Sequence, residues 1–360
     1  MKVGIVGLPG VGKTTLFRAL THGAATQEAR GAQAGITTGV VTVPDERFDW
    51  LVDHHKPKKA TPASVEFVDG APSMGEEVRK FVANFLTQVR SVDALLHLVR
   101  TFESDLLGSP TPITDLQRIQ DELILADLQM VETRMERLEK QLHGTKTGAV
   151  TPHTIERDLM REIKDWLEAE KSLAAFEFTP DQTKTIRGFE FLTLKPAMVV
   201  ANIAEDEVGK ELSGQAAELK THCEANGLPF EALCAKLEAE IAELPEDEQQ
   251  SYLEAMGVEQ PARNTIVREA YKATGMMSFF TAGEPEVRAW TISAGSPVIE
   301  AAEKIHSDIA RGFIRAEVAN FDVVKEAGSW ETAKQQGKVD LHMKDYVVKD
   351  GDIMYIRFKV

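Results

Sequence analysis

Three patterns in the sequence predict an α/β fold with a mainly parallel sheet, a helical insertion, and a smaller α+β module at the C-terminal end. Up to about residue 278, short aliphatic and β-branched runs alternate with helix-length amphipathic stretches, as expected for parallel strands joined by crossover helices. Between about Thr114 and Phe176 the apolar spacing becomes that of a helical heptad. From Phe279 the spacing changes again, to strands, turns and one amphipathic helix.

The first element is an apolar strand that runs into Gly7-x-x-x-x-Gly12-Lys13-Thr14 and then into a helix with Leu16, Phe17 and Leu20 on one side. Glycines at these spacings let backbone N–H groups turn inward around a polyphosphate, and the helix adds its positive N-terminal end. The motif therefore places the backbone from Gly10 through Val11, Gly12, Lys13 and Thr14 to Thr15 on phosphates. In this arrangement Lys13 reaches the β- and γ-phosphates as the catalytic cation, and the Thr14 hydroxyl ligates Mg²⁺. A P-loop nucleotide-binding domain of the G-domain type is expected.

A polar stretch from Thr21 to Gln33 precedes the strand Thr38–Val43 and a Pro44-Asp45 turn, where a phosphate-sensing switch would sit. Ser64–Asp69 reads as a strand ending in an acid. Asp69 either contacts Mg²⁺ through water from the strand tip or opens the turn Asp69-Gly70-Ala71-Pro72. Phe81–Arg90 reads as helix and Asp93–Val99 as a buried parallel strand, with His97 a core or edge histidine. The His54-His55 pair reads as surface.

Leu128, Val131, Met135, Leu138 and Leu142 then alternate at spacings of three and four, and Ile155, Leu159, Ile163 and Trp166 form a second stripe after a polar break at His143–Pro152. Two such stripes predict an antiparallel helical hairpin. The α/β pattern resumes with a strand ending at Asn202, a helix over Leu212–Asn226, a short strand Pro229–Leu233, a helix through Ile241 and another over Val267–Thr274. The last part has a strand Val287–Ile292, a helix beginning at Ser296-Pro297, and a final strand in which Met354, Ile356, Phe358 and Val360 alternate with polar residues. The expected division is a split nucleotide-binding domain (1–110 and 190–278), a coiled-coil insertion (111–189) and a C-terminal domain (279–360).

The composition limits the function. The chain has 360 residues, 43% of them apolar, and a net charge of −16, which argues against a general nucleic-acid binder because an acidic field repels phosphate backbones. The stretch from Glu284 onward is close to charge balance, so a local basic face is expected there if anywhere. Cys223 and Cys234 have no metal-ligand spacing and read as reduced thiols. With no signal peptide and no membrane-length apolar run, the expected location is cytoplasmic with no membrane partner.

Taken together, these motifs resemble the Obg-like ATPase (YchF) subfamily of translation-factor-related P-loop NTPases. The resemblance rests on Gly4–Phe17, Thr38–Asp45, Asn202–Asp206, Cys234-Ala235 with Glu238–Leu244, and Phe279–Gly283 through Arg288-Ala-Trp-Thr291. Arg311–Val318 and Asp345–Asp352 add a likeness to the family's TGS domain, a β-grasp fold. It implies a Mg²⁺-dependent NTPase that associates with the ribosome, through ribosomal RNA or protein, by way of the coiled coil and TGS domain.

It also implies that ATP is favoured over GTP. Guanine-specific relatives carry Asn-Lys-x-Asp, whereas Asn202-Ile203-Ala204-Glu205 lacks both the Lys and the Asp. The resemblance places Asn202, Ile203, Glu205 and the Ala235 backbone N–H at the base, with Asn202 serving adenine N6 and N7. Four departures bear on hydrolysis: Gln33 stands where the family has a Mg²⁺-ligating threonine, with Thr37 or Thr38 as the alternative ligand; Pro72 replaces a glycine N–H donor; the segment after it is several residues shorter than in the family; and Phe102–Pro110 lacks the family's loop histidine. Slow hydrolysis is expected; a non-hydrolysing nucleotide-binding scaffold and an RNA-binding module with secondary NTPase activity are the alternatives.

Overall fold

The structure is a computed structural model that describes residues 1–21, 27–28, 36–70, 89–143 and 150–359. The expectations for Gln33, Pro72 and nearly all of the Phe81–Arg90 helix fall outside these residues. The strands are β1 (Lys2–Val6), β2 (Gln27–Glu28), β3 (Ile36–Thr42), β4 (Ala60–Thr61), β5 (Ser64–Gly70), β6 (Ala94–Arg100), β7 (Ala197–Asn202), β8 (Phe230–Leu233), β9 (Met276–Thr281), β10 (Val287–Ser293), β11 (Phe313–Asn320), β12 (Asp340–His342) and β13 (Asp352–Phe358). The chain divides into two compact units, residues 1–40 with 66–266 and residues 41–65 with 267–360.

The first unit is built on a seven-stranded sheet in the order β2-β3-β5-β1-β6-β7-β8. Strand β1 lies between β5 and β6, and it pairs parallel with both; β6–β7 and β7–β8 are parallel too. All seven residues of β6 are buried, which explains why its sequence is an unbroken apolar run apart from His97 and Arg100. Consecutive strands leave β1 on opposite sides, so the loop after β1 opens into the crevice at the carboxyl ends of the strands.

The heptad stretch forms helices Pro112–Leu142 and Pro152–Glu168, each with proline in its first turn, and Thr151 closes a capping box on the second. The seam between them buries Val131, Leu138, Leu159, Met160, Ile163 and Leu167. Ile155 does not join this seam: it lies in the first turn of its helix, is 57% exposed, and leaves the inward positions to Met160 and Leu167. Arg134 and Glu156 pair across the hairpin at 2.7 Å on both arms of the guanidinium. At its root the fully buried Asp127 carboxylate accepts from Arg90 Nη1, the backbone N–H groups of Leu192 and Thr193, and the Thr193 hydroxyl, at 2.8–3.0 Å.

The second unit holds the six-stranded sheet β12-β11-β13-β9-β10-β4. Its core gathers Met277, Phe279, Ile292, Val298, Ala301, Ala302, Val318 and Met354. The amphipathic helix begins where Ser296-Pro297 predicts it, at Val298. The alternation of the last strand is only partly expressed: Ile353 and Met354 are both buried, whereas Phe358 is 43% exposed because the strand runs out past its core. Residues 41–65 belong to this unit through the parallel pairing of β4 with β10 and through Arg47, which bonds Asp45 and, at 2.7 Å, Asp350.

Candidate nucleotide-binding site

The loop between β1 and helix Lys13–Thr21 has the backbone that phosphate binding requires. Gly10 and Gly12 lie at φ +80° and +99°, in the left-handed region that favours glycine. A Cβ on Gly12 would come within 2.6 Å of Asn202 Nδ2, and one on Gly7 within 2.6 Å of the Leu98 carbonyl oxygen, so neighbouring strands press on the loop from outside. The helix closes its first turn with the Leu16 N–H on the Gly12 carbonyl at 2.8 Å.

Lys13 and Thr14 follow directly. The Lys13 ammonium donates to the carbonyls of Gly7 and Leu8 at 2.9 and 3.0 Å, which holds it across the mouth of the loop. Burial lowers its pKa, against the opposing pull of Asp69. The Thr14 hydroxyl donates to Asp69 Oδ2 at 3.1 Å, while the buried Asp69 Oδ1 has no hydrogen-bond partner among the described residues. Burial raises the Asp69 pKa, and the Thr14 bond and Lys13 charge oppose it. A hydroxyl beside a carboxylate with a spare buried oxygen suits a hard divalent cation. Among the described residues no cluster of three or more His, Cys, Asp or Glu could hold a metal alone. The Thr14–Asp69 pair fits Mg²⁺, which takes one or two protein oxygens and completes its shell with phosphates and water.

A cavity of about 940 Å³ adjoins this end of the loop, with Gly10, Gly12 and Thr15 on one side and Asn202, Glu205 and Lys236 on the other. Asn202 ties the two sides together: its Nδ2 donates to the Val11 carbonyl at 2.9 Å, and its Oδ1 accepts the Ala235 N–H at 2.9 Å. A carboxamide has two donors and two acceptor lone pairs, so one of each is left for a ligand. The Ala235 N–H, a single donor, is already used by Asn202, so its part here is to orient that amide. Ile203 is buried, lines the cavity and gives its N–H to the Leu233 carbonyl. Glu205 Oε2 accepts from the Lys236 ammonium at 3.1 Å.

Three contributors have no motif in the sequence. The Thr101 hydroxyl donates to the Asn202 carbonyl at 3.1 Å, steadying the end of β7. Lys236 is one. Arg100, buried at the end of β6, donates through Nη1 to the carbonyls of Phe102 and Gly108 at 2.5 and 2.9 Å, closing residues 102–108 into a small loop. That loop rests on the phosphate loop: Leu107 Cδ1 lies 2.7 Å from where a Cβ on Gly10 would be. Only an arginine ending an apolar run hints at this arrangement.

Residues 2–140 match the family model described as 50S ribosome-binding GTPase, and residues 276–359 match the YchF GTPase C-terminal family, described as a protein of unknown function. The chain is 38% identical to the ribosome-binding ATPase YchF of Bacillus subtilis, over 100% of both chains. The chain belongs to the YchF/Obg-like ATPase family, a group of P-loop nucleoside triphosphatases. The YchF of Pasteurella multocida is 40% identical over 100% of this chain and 99% of its own, and Obg-like ATPase 1 of Xenopus laevis 33% identical over 99% and 92%. The structure of the Schizosaccharomyces pombe YchF GTPase matches 99% of this chain and 97% of its own with a TM-score of 0.83 and 28% identity. No helix of the described residues is long and apolar enough to cross a membrane.

Proposed function

We propose that this YchF-family chain binds ATP in preference to GTP, with Mg²⁺, hydrolyses it slowly, and uses the bound state to control an association with the ribosome. The observation that carries this reading is the joint placement of Lys13, the Thr14–Asp69 pair and the Asn202 amide around one loop and cavity. Mg²⁺ supplies charge neutralisation on the phosphates when bound, held by Thr14 and, through water, Asp69. The protein's own contribution is positioning: Lys13 and the Gly10–Thr15 backbone fix the phosphates while water attacks the γ-phosphorus and its bond to the bridging oxygen breaks.

ATP is favoured because the free N–H and lone pair of Asn202 match adenine N7 and its N6 amino group. The Lys and Asp with which guanine-specific relatives read that base are absent from Asn202-Ile203-Ala204-Glu205. The ribosome reading draws on the relatives named as ribosome-binding ATPases, with residues 111–189 and 279–360 as the contacting parts.

Single-turnover hydrolysis, measured beside titrations of ATP and GTP into nucleotide-free protein, tests this. Lys13→Ala is expected to remove turnover. Tight ATP binding without turnover in the unmodified chain would leave a nucleotide-binding scaffold instead. A GTP preference above about tenfold, roughly 1.4 kcal/mol, would overturn the base assignment.

A further inference from the structure

The chain leaving β6 makes a short loop whose shape is set by one buried side chain. Arg100 is 5% exposed, and its Nη1 donates to the carbonyls of Phe102 and Gly108 at 2.5 and 2.9 Å. Ser104 and Gly108 each give a backbone N–H to the other's carbonyl, and the Leu107 N–H donates to Ser104 Oγ at 3.3 Å. The Thr101 N–H and hydroxyl both donate to the Asn202 carbonyl, which anchors the start of the loop. The two leucines at its tip differ: Leu106 is 90% exposed, whereas Leu107 turns onto the phosphate loop.

Leu107 lands where the phosphate loop is least constrained. Gly10 lies at φ +80° and has no side chain, so its backbone has more conformations open to it than any other residue type would have there. A Cβ on Gly10 would meet Leu107 Cδ1 at 2.7 Å, and Leu107 Cδ2 and Cγ at 3.6 Å. Among the described residues these are the three nearest heavy atoms outside Gly10 and its chain neighbours. The leucine therefore fills the space that a side chain on Gly10 would take, without the strain such a side chain would suffer at this φ. With Leu107 gone, the Gly10 peptide gains room to turn its N–H away from a bound phosphate.

We propose that Arg100 is a positioning residue for nucleotide retention: by closing residues 102–108 it holds Leu107 against Gly10, and this contact keeps the phosphate loop in its binding shape. The inference rests on the reading that the Gly10–Thr15 backbone takes phosphates, and it is independent of which base is preferred. A loop already held in its bound shape has less freedom to lose on binding, and differences of this kind appear mainly in the release rate.

The test follows fluorescent N-methylanthraniloyl derivatives of the non-hydrolysable β,γ-imido analogues of ATP and GTP by stopped flow, on full-length protein in Mg²⁺. Hydrogen exchange over residues 7–16 is measured beside it in nucleotide-free protein. Leu107→Ala is expected to release both analogues about threefold to tenfold faster, by the same factor for each purine, with association within about twofold of the unmodified chain. Leu107→Met, which restores an apolar contact of similar volume, should bring release back to within about twofold. Leu106→Ala, at the exposed neighbour, should leave it unchanged. Arg100→Met should also speed release, and in that background Leu107→Ala should add less than about twofold, because the contact is already lost. Faster exchange over residues 7–16 is expected in Leu107→Ala. Unchanged release in Leu107→Ala, an effect confined to one purine, or a full Leu107→Ala effect in the Arg100→Met background overturns the proposal. If the unmodified chain binds neither analogue, the nucleotide reading falls, and exchange over residues 7–16 decides alone: faster in Leu107→Ala supports the contact, and unchanged overturns it.

Discussion

His97 lies midway along β6, 3% exposed, with β1 on one side and β7 on the other. Burial alone pushes its pKa down to about 4 from the ordinary value of 6.5, and its Nδ1 has no partner among the described residues. The folded chain holds this ring neutral while the unfolded chain protonates it near pH 6.5, so protons favour the unfolded state between those values. The expected outcome is a stability loss of about 3 kcal/mol from this residue as pH falls from 6.5 to 4, and none from it above 6.5. Urea unfolding at pH 7, 5 and 4 checks this; in His97→Leu that component of the pH dependence should be missing. Asp127 is the opposite case, a buried charge with every oxygen engaged. Asp127→Ala strands Arg90 and two backbone donors, and a loss of about 3–5 kcal/mol is expected in the same assay. Some residue roles were readable in the sequence and some were not. Gly10, Gly12, Lys13 and Thr14 act through a loop formed by their own neighbours, so their spacing announces it. Lys236 and Arg100 act through partners that only the fold brings near, or through carbonyls, which leave no trace in residue type.

At the scale of elements, the helical hairpin shows what periodicity can and cannot specify. Its existence and antiparallel pairing were legible because a heptad, a break and a second stripe appear in that order. Which residues form the seam was less so. A stripe read at fixed spacing continues through Ile155, but the packed seam needs a facing residue, and in the first turn of the second helix Ile155 remains exposed. Helix Glu246–Ala255 was missed altogether, since its acidic and glutamine-rich sequence carries little apolar period. Leu138 is fully buried in the hairpin seam, and Leu138→Ala is expected to cost about 2–5 kcal/mol through lost burial and the cavity left behind. Hydrogen exchange should register this as faster exchange within 112–143 and 152–168, with ATP affinity unchanged. Loss of ATP binding together with hairpin protection would instead show that the hairpin and the nucleotide site open as one unit.

For the molecule as a whole, the second unit is assembled from two distant stretches, residues 41–65 and 267–360. Nothing in the sequence of the first stretch announces this: β4 is only two residues long, and Arg47 carries no sign that Asp350 is its partner. A chain ended after residue 278 is expected to keep the sheet β5-β1-β6-β7-β8 but to leave 41–65 without its β10 and Asp350 contacts. Limited proteolysis should then cut within 41–65 well before it cuts the intact protein there. Equal resistance in the two chains would show that this stretch holds its shape without the C-terminal strands.

The same split gives the protein a timetable. About 200 residues separate the two stretches, so at ordinary elongation rates of about 5–20 residues per second the first waits roughly 10–40 s for the second to be made. During that interval Phe48 and Leu51, buried in the finished protein, have no C-terminal strands to cover them. Nascent chains are therefore open to chaperones and proteases at 41–65 until those strands are made. The last hundred or so residues, whatever else they do, end that exposure.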